Sequence, residues 1–214
     1  METLELKKEL KHLYQPSARK PEILKVPNLQ FAMIDGRIEK GKEPGNSPAF
    51  AEATQALYSI SYTLKFMLKK RKSNPIDYPV MALEGLWWVE DGFFDITVKD
   101  NWFYTLMILQ PDVVTKDVFA EGLEQVRKKK GEGEMLSKLR LSQFEEGLCV
   151  QIMHIGPYAT EPATIERMRA FAAEKGYRDR VGPNGKHHEI YNGDPRKSAP
   201  EKLKTVLRHP LEKI

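Results

Sequence analysis

Apolar residues recur every second position in some stretches of the chain and at helical spacing in others. Leu4, Leu6, Leu10, Leu13 and Tyr14 suggest a short N-terminal helix that Pro16 ends. Residues 22–26 and 29–34 read as strand, and Gly36, Gly41, Pro44 and Gly45 make a loop. Ser47-Pro48 then opens the longest helix, with serine as N-cap and proline at the first helical position. Phe50, Ala53, Leu57, Ile60, Leu64 and Met67 form its core stripe, and Tyr58, Tyr62 and Phe66 a second, aromatic stripe. It runs to about Arg71, where a basic end suits the negative pole of the helix dipole, and Asn74-Pro75 breaks it.

Two strand-like runs follow, 80–89 and 102–109, joined by a turn region rich in Asp and Gly. Residues 112–130 read as a helix with Val114, Val118, Leu123 and Val126 inward, and 139–144 and 147–155 read as strands. Thr160-Glu161-Pro162 opens a further helix that ends near Gly176, and 187–191 and 203–208 supply the last strands. Strand, Gly-containing loop, Ser-Pro and helix over 31–68 are echoed by strand, Gly-Pro loop, Thr-Glu-Pro and helix over 149–176, each followed by a strand pair. The expected fold class is therefore α+β, a duplicated β-α-β-β unit with a ligand cleft between the halves. The expected division is a helical extension over 1–20 and one domain over 21–214, its first unit about 21–135 and its second about 136–214.

Composition narrows this little. The 214 residues are 41% hydrophobic and 30% charged, as in an ordinary globular chain. The net charge of +4 leaves 34 basic residues nearly balanced by 30 acidic ones, which gives no footprint for nucleic acid. Cys149, the single cysteine, excludes an intrachain disulfide and reads as core in an apolar strand. The first fourteen residues have no apolar core of a signal peptide, and no run of about 18 apolar residues occurs. The expectation is a cytoplasmic protein, monomer or dimer, with no membrane or nucleic-acid partner.

Candidate chemistry concentrates in two strands. In 187–191, alternation puts His187, Glu189 and Tyr191 on one face; a carboxylate in mid-strand is either solvated or at the bottom of a pocket. In 83–88, Glu84, Leu86 and Trp88 share one face, and Gly85 and Trp87 the other. Two adjacent tryptophans cannot both face one core, so one points into a pocket or an interface. If the halves pack about a cleft, Glu84 and Glu189 become pseudo-symmetric, as do Trp88 and Tyr191. An aromatic box over an acidic floor suits bulky, flat or cationic ligands. His187 and His188 face opposite ways, and no paired spacing supports a metal site. No cofactor is expected, since Walker, Gly-x-Gly-x-x-Gly and Gly-x-Ser-x-Gly patterns are all missing.

The C-terminal run from His188 through Asn192-Gly193-Asp194-Pro195-Arg196 to Leu211 resembles the GyrI-like small-molecule-binding family. His154-Ile155-Gly156-Pro157-Tyr158 followed by Pro162 is similar to that family's second-repeat entry, and 83–88 to the first-half motif of its stand-alone members. The resemblance implies paired SHS2 modules (β-α-β-β) about a pseudo-twofold axis, and a cleft for hydrophobic aromatic, often cationic, ligands against an acidic residue. In multidrug-responsive regulators the module is fused to a DNA-binding domain; the segment before Pro21 is too short for one, so the chain does not read as a transcription factor. A gyrase-inhibitor role belongs to shorter members. Some stand-alone relatives are hydrolases that open the cyclopropane of DNA-alkylating natural products. That reading makes Glu189 a general base and has Tyr191 or Tyr158 position the substrate, with Trp87 or Trp88 stacking on it. Glu84, Tyr58, Tyr62 and His187 complete the expected ligand-binding set. Detoxifying hydrolase and non-catalytic binder both remain open.

Overall fold

The computed structural model describes residues 1–90, 92, 94–98 and 101–214. The elements in chain order are β1 (Glu2–Thr3), α1 (Leu6–Glu9), α2 (Lys11–Tyr14), β2 (Glu22–Arg37), α3 (Pro48–Lys69), β3 (Ile76–Asp77), β4 (Leu83–Trp88) and β5 (Phe103–Leu109). Then come α4 (Lys116–Lys130), α5 (Glu134–Ser137), β6 (Arg140–Ile155), α6 (Glu161–Glu174), β7 (Tyr177–Asp179), β8 (His187–Tyr191) and β9 (Lys204–Lys213). The main sheet runs β6-β2-β5-β4-β8-β9-β7, and β6 also pairs with β9, so it closes into a barrel-like core. With helices packed outside that sheet, the fold is α+β.

Sequence chemistry explains most boundaries. Ser47 caps α3 by accepting from the Phe50 amide, and Thr115 caps α4 by accepting from Val118. α4 therefore starts four residues later than the apolar spacing suggests. The two runs around Pro27 merge into one strand, because Pro27 falls between the paired positions Val26↔Gly147 and Asn28↔Glu145 and need not donate. β6 likewise runs unbroken through Gly147, whose φ of 77° is open to glycine. The N-terminal helix is instead two four-residue pieces on either side of Leu10, and the chain turns there to bury Leu13 and Tyr14. The Asp- and Gly-rich connection after β4 includes residues 91, 93, 99 and 100, which lie outside the described residues.

α3 lays Ala53, Leu57, Ile60 and Leu64 on the sheet, and α4 packs against it closely enough that a Cβ on Gly122 would meet Leu64 at 2.7 Å. α6 covers the other half through Ile165, Met168 and Ala172, which cluster with Val150, Ile152, Leu207 and Leu211. Glu161, at the start of α6, borders Glu189 of β8, while Phe50 of α3 stacks on Trp87 of β4 with ring centres 5.6 Å apart. The β4–β8 strip thus lies between the two helices, on the face they share. Among the described residues no helix is long and apolar enough to cross a membrane.

The opposite face of the same strands holds a buried polar network. His188 lies with Nδ1 3.0 Å from Glu146 Oε2 and Nε2 3.0 Å from Glu84 Oε2. A neutral imidazole donates through only one nitrogen, so an imidazolium satisfies both carboxylates. Arg208 donates to Glu146, to Gln151 and to the Leu13 carbonyl, and Tyr14 donates its hydroxyl to Glu84. The N-terminal segment is thereby tied to β4, β6, β8 and β9. Burial alone would raise the Glu146 carboxyl, but His188 and then Arg208 hold it down at about 2; burial would lower His188, but Glu146 and Glu84 hold it up.

Glu84 belongs to this network and faces away from Glu189, so the two are not a pseudo-symmetric pair across a cleft. The register explains why: Glu84 sits opposite Ile190, and it is Gly85 that sits opposite Glu189. Trp88 shares the Glu84 face, stacks on Phe103 and carries the Lys186 ammonium 3.3 Å above its ring.

Replacing Glu146 with alanine leaves Arg208 and His188 facing one another without their common anion and is expected to cost about 3–5 kcal/mol in urea denaturation. A loss below about 1 kcal/mol would contradict this account. The sign of the pH dependence follows from the shifts. The Glu146 contribution is complete above 4.5 and lost as pH falls through about 2; the His188 contribution is complete below 6.5 and lost as pH rises through its raised value.

Candidate active site between the two helices

Glu189 is 8% exposed and sits on the helix-bearing face with His187 and Tyr191, as alternation requires. Its Oε1 lies 2.9 Å from His187 Nε2. The Tyr191 hydroxyl accepts from Trp87 Nε1 at 3.0 Å and bonds in turn to Glu189. Burial first, and then the Glu189 charge, push the Tyr191 phenol well above its ordinary value, so it acts as a donor. Tyr158 meets the Tyr191 ring edge-on at 6.1 Å and is 38% exposed, which places it at the surface beside the cluster. Burial, then Glu189 and Glu161, push its phenol up to about 12.

A chain of hydrogen bonds leads away from the carboxylate through His187. His187 Nδ1 lies 2.7 Å from His209 Nε2, His209 Nδ1 2.8 Å from Asp179 Oδ2, and Arg169 Nε donates to that same oxygen at 2.8 Å. Asp179 is held at about 2: burial raises it, but the His209 bond and Arg169 outweigh that. Burial, against the pull of Asp179, keeps His209 at about 4, so it is neutral and donates through Nδ1. Its Nε2 must then accept from His187 Nδ1–H. The bond between His187 Nε2 and Glu189 consequently holds one further proton, carried by either partner. Phe94 stacks on His187 with ring centres 5.3 Å apart and shields this chain of bonds.

Trp87 is the tryptophan on this face, wedged between Phe50, Trp102 and Tyr104. It leaves no room at Gly85, where a Cβ would lie 2.9 Å from Trp87 Nε1 and 3.1 Å from the Tyr191 hydroxyl. Tyr58 is half-buried near Asp194 and Arg196, the turn that follows β8. Tyr62 is exposed, in a stacked ladder of Tyr58, Tyr62 and Phe66 along α3. The structure therefore brings His187, Glu189, Tyr191, Trp87 and Tyr158 together, keeps Tyr58 at the rim, and sets Tyr62, Glu84 and Trp88 apart.

Three contributors escaped the sequence reading. Glu161 is fully buried beside Glu189, although it reads in sequence as an ordinary residue in the first turn of α6. His209 and Asp179 come from β9 and from β7, a strand the sequence pattern did not mark. The available signal was Arg208-His209, polar residues between the apolar Val206-Leu207 and Leu211 of β9. Ligand atoms of Glu161, His187 and Glu189 all lie within 4.8 Å of one another, a donor set that would hold a divalent cation only with both carboxyls ionised. His154 does not join it; its ring is engaged by Thr164 and Thr160.

The model of the GyrI-like small molecule binding domain matches residues 19–212. Among solved structures, an uncharacterized conserved protein from Listeria innocua is 42% identical over 99% of this chain and 100% of its own, with a TM-score of 0.86. A hydrolase from Listeria innocua is 39% identical over 99% and 100%, with a TM-score of 0.82. The EcmrR C-terminal domain shares the fold, at 10% identity over 91% and 98% and a TM-score of 0.52. A search of curated proteins found no match.

Gly85→Ala is expected to break the Trp87–Tyr191 bond and destabilise the protein by about 1–3 kcal/mol. The measurement is chemical denaturation followed by tryptophan fluorescence; an unchanged midpoint and emission maximum would show that Trp87 is not confined as described.

Proposed function

The chain belongs to the GyrI-like small-molecule-binding family, and on that premise we propose that it is a hydrolase of small hydrophobic aromatic electrophiles. The substrates proposed are conjugated ketones carrying a strained cyclopropane, opened by addition of water. The observation that carries this reading is Glu189, a buried carboxylate beside two tyrosines with a hydrogen-bonded chain of two histidines and Asp179 behind it. A 39% identical relative that aligns over nearly the whole chain is a hydrolase, which supports the same class of activity.

The roles follow from the geometry. Water bound against Glu189 loses a proton to the carboxylate as its oxygen bonds to a ring carbon. The cyclopropane carbon–carbon bond breaks and its electron pair flows to the carbonyl, which ends as a hydroxyl after taking up a proton. Tyr158, at the surface beside Tyr191 and holding its proton to about 12, is the donor assigned to that carbonyl oxygen. Tyr191 bonds Glu189 and keeps it oriented. The proton shared by Glu189 and His187 rests on His187 during this step, with His209 and Asp179 fixing the ring, so the proton gained by Glu189 is the one released for the product hydroxyl. Trp87 with Phe50 offers an apolar wall beside the reacting atoms.

The strand–helix–strand–strand order recurs over 22–109 and 140–213 if the short β3 and β7 are set aside. This supports reading the domain as two SHS2 modules with the site at their junction, preceded by the 1–20 extension. A second reading, a binder that sequesters such compounds without changing them, uses the same aromatic lining.

Mass analysis of protein incubated with excess cyclopropane-containing indole electrophile separates the two. Gain of one water per ligand over many turnovers is expected, whereas tight binding of unchanged ligand would leave only the binder. Glu189→Gln is expected to abolish turnover while holding neutral-ligand affinity within about tenfold; full activity in that variant would exclude Glu189 as base. Asp179→Asn offers an amide N–H to His209 and reverses the donors along the chain. It is expected to lower kcat by about 10²-fold with little change in KM, and an unchanged kcat would remove the relay from the mechanism.

A further inference from the structure

Glu161 opens the 14-residue helix α6, and its side chain is 0% exposed. Neither carboxyl oxygen meets a donor with good hydrogen-bond geometry. Its polar company is the Glu189 carboxylate, His187 from the same strand, Tyr158 from the turn before the helix, and the Thr205 hydroxyl of β9. No lysine or arginine is among the groups that shift it. The dipole of α6 favours an anion at this end by about a few-fold. Two buried carboxylates in contact repel through a low dielectric and do not both ionise without a cation between them. A proton on Glu161 removes the repulsion and turns the contact into a hydrogen bond.

We propose that Glu161 is a resident carboxylic acid: it keeps its proton at neutral pH, donates to Glu189, and so positions the working carboxylate from the protein side. With His187 and Tyr191 already bonded to Glu189, this third contact fixes the plane of the carboxylate and limits the floor of the site to a single negative charge. Glu161 acts through Glu189 and is a positioning residue. The inference rests on Glu189 as the working group of the preceding section, and its physical test is independent of hydrolysis.

Infrared difference spectra of wild type against Glu161→Gln at neutral pH are expected to show a protonated-carboxyl carbonyl band in the wild type alone; no such band overturns the proposal. The folded glutamic acid keeps a proton that the unfolded one loses above 4.5, so stability falls as pH rises. The wild-type unfolding constant is therefore expected to rise about tenfold more per pH unit than that of Glu161→Gln; parallel profiles overturn it. With a turned-over substrate, Glu161→Leu is expected to lower kcat by about tenfold to a hundredfold, and Glu161→Gln to rescue most of that loss because its amide still donates. A glutamine variant as inactive as the leucine one overturns it, as does a stoichiometric divalent metal in the purified protein that the glutamine variant loses. If no electrophile is turned over, the hydrolase reading fails while the infrared and stability measurements still decide the state of Glu161.

Discussion

The antiparallel pairing of β4 with β8, which sets Gly85 opposite Glu189 and Trp87 opposite His187, is the constraint on which the site depends. Strand alternation then sends two adjacent histidines into two different environments. His187 goes to the helix-bearing face and the chain that ends at Asp179; His188 goes to the other face and the ion network of Glu84, Glu146 and Arg208. A slip of one residue would exchange every partner. Such a slip would bring a second acid, Glu84, to the Glu189 face without any cation to balance it. The register is thus enforced by polar satisfaction on both faces as well as by apolar packing.

The helices set depth where the strands set direction. α3 contributes Phe50 above Trp87, and α6 contributes Glu161 beside Glu189, so the β4–β8 strip is flanked by both helices. Closure of the sheet through β6 and β9 brings the C-terminal strand under the site, which is how His209 and Thr205 reach it. The N-terminal segment covers the opposite face through the Tyr14 hydroxyl and the Leu13 carbonyl.

Much of the scaffold could be read from the chain because its signals are local. Ser47-Pro48, the α3 stripe, Gly176 and the HHEIY strand each depend on residues within a few positions of one another, and each element lies where the pattern puts it. The face shared by His187, Glu189 and Tyr191 is likewise a property of one strand. Which strand lies opposite which is not local. The sequence offered Glu84 as the natural mate of Glu189, since both are acids in corresponding strands, but their facing depends on a register that no short-range signal encodes. The tryptophan pair shows the same limit: alternation says that the two diverge, and only the placement of α3 says which one meets the site. Glu161 was hidden for a different reason. An acid in the first turn of a helix is so common a surface feature that burial is visible only once α6 is docked on the sheet.

The two buried acid clusters differ in one respect that separates their roles. Glu84 and Glu146 face an imidazolium and a guanidinium, so their charge is answered within the fold and every member is bonded. Such a network resists change of protonation, which suits it to hold the N-terminal segment in place. Glu161 and Glu189 face each other, two phenols that keep their protons, and a histidine whose other nitrogen is committed to a donor chain. Nothing in that cluster neutralises a second negative charge, so protons must move when a ligand brings charge in or when water is deprotonated. Among the described residues no lysine or arginine shifts this carboxylate pair, whereas Arg208 lies on the opposite face beside Glu146, so the two clusters answer a change of charge differently.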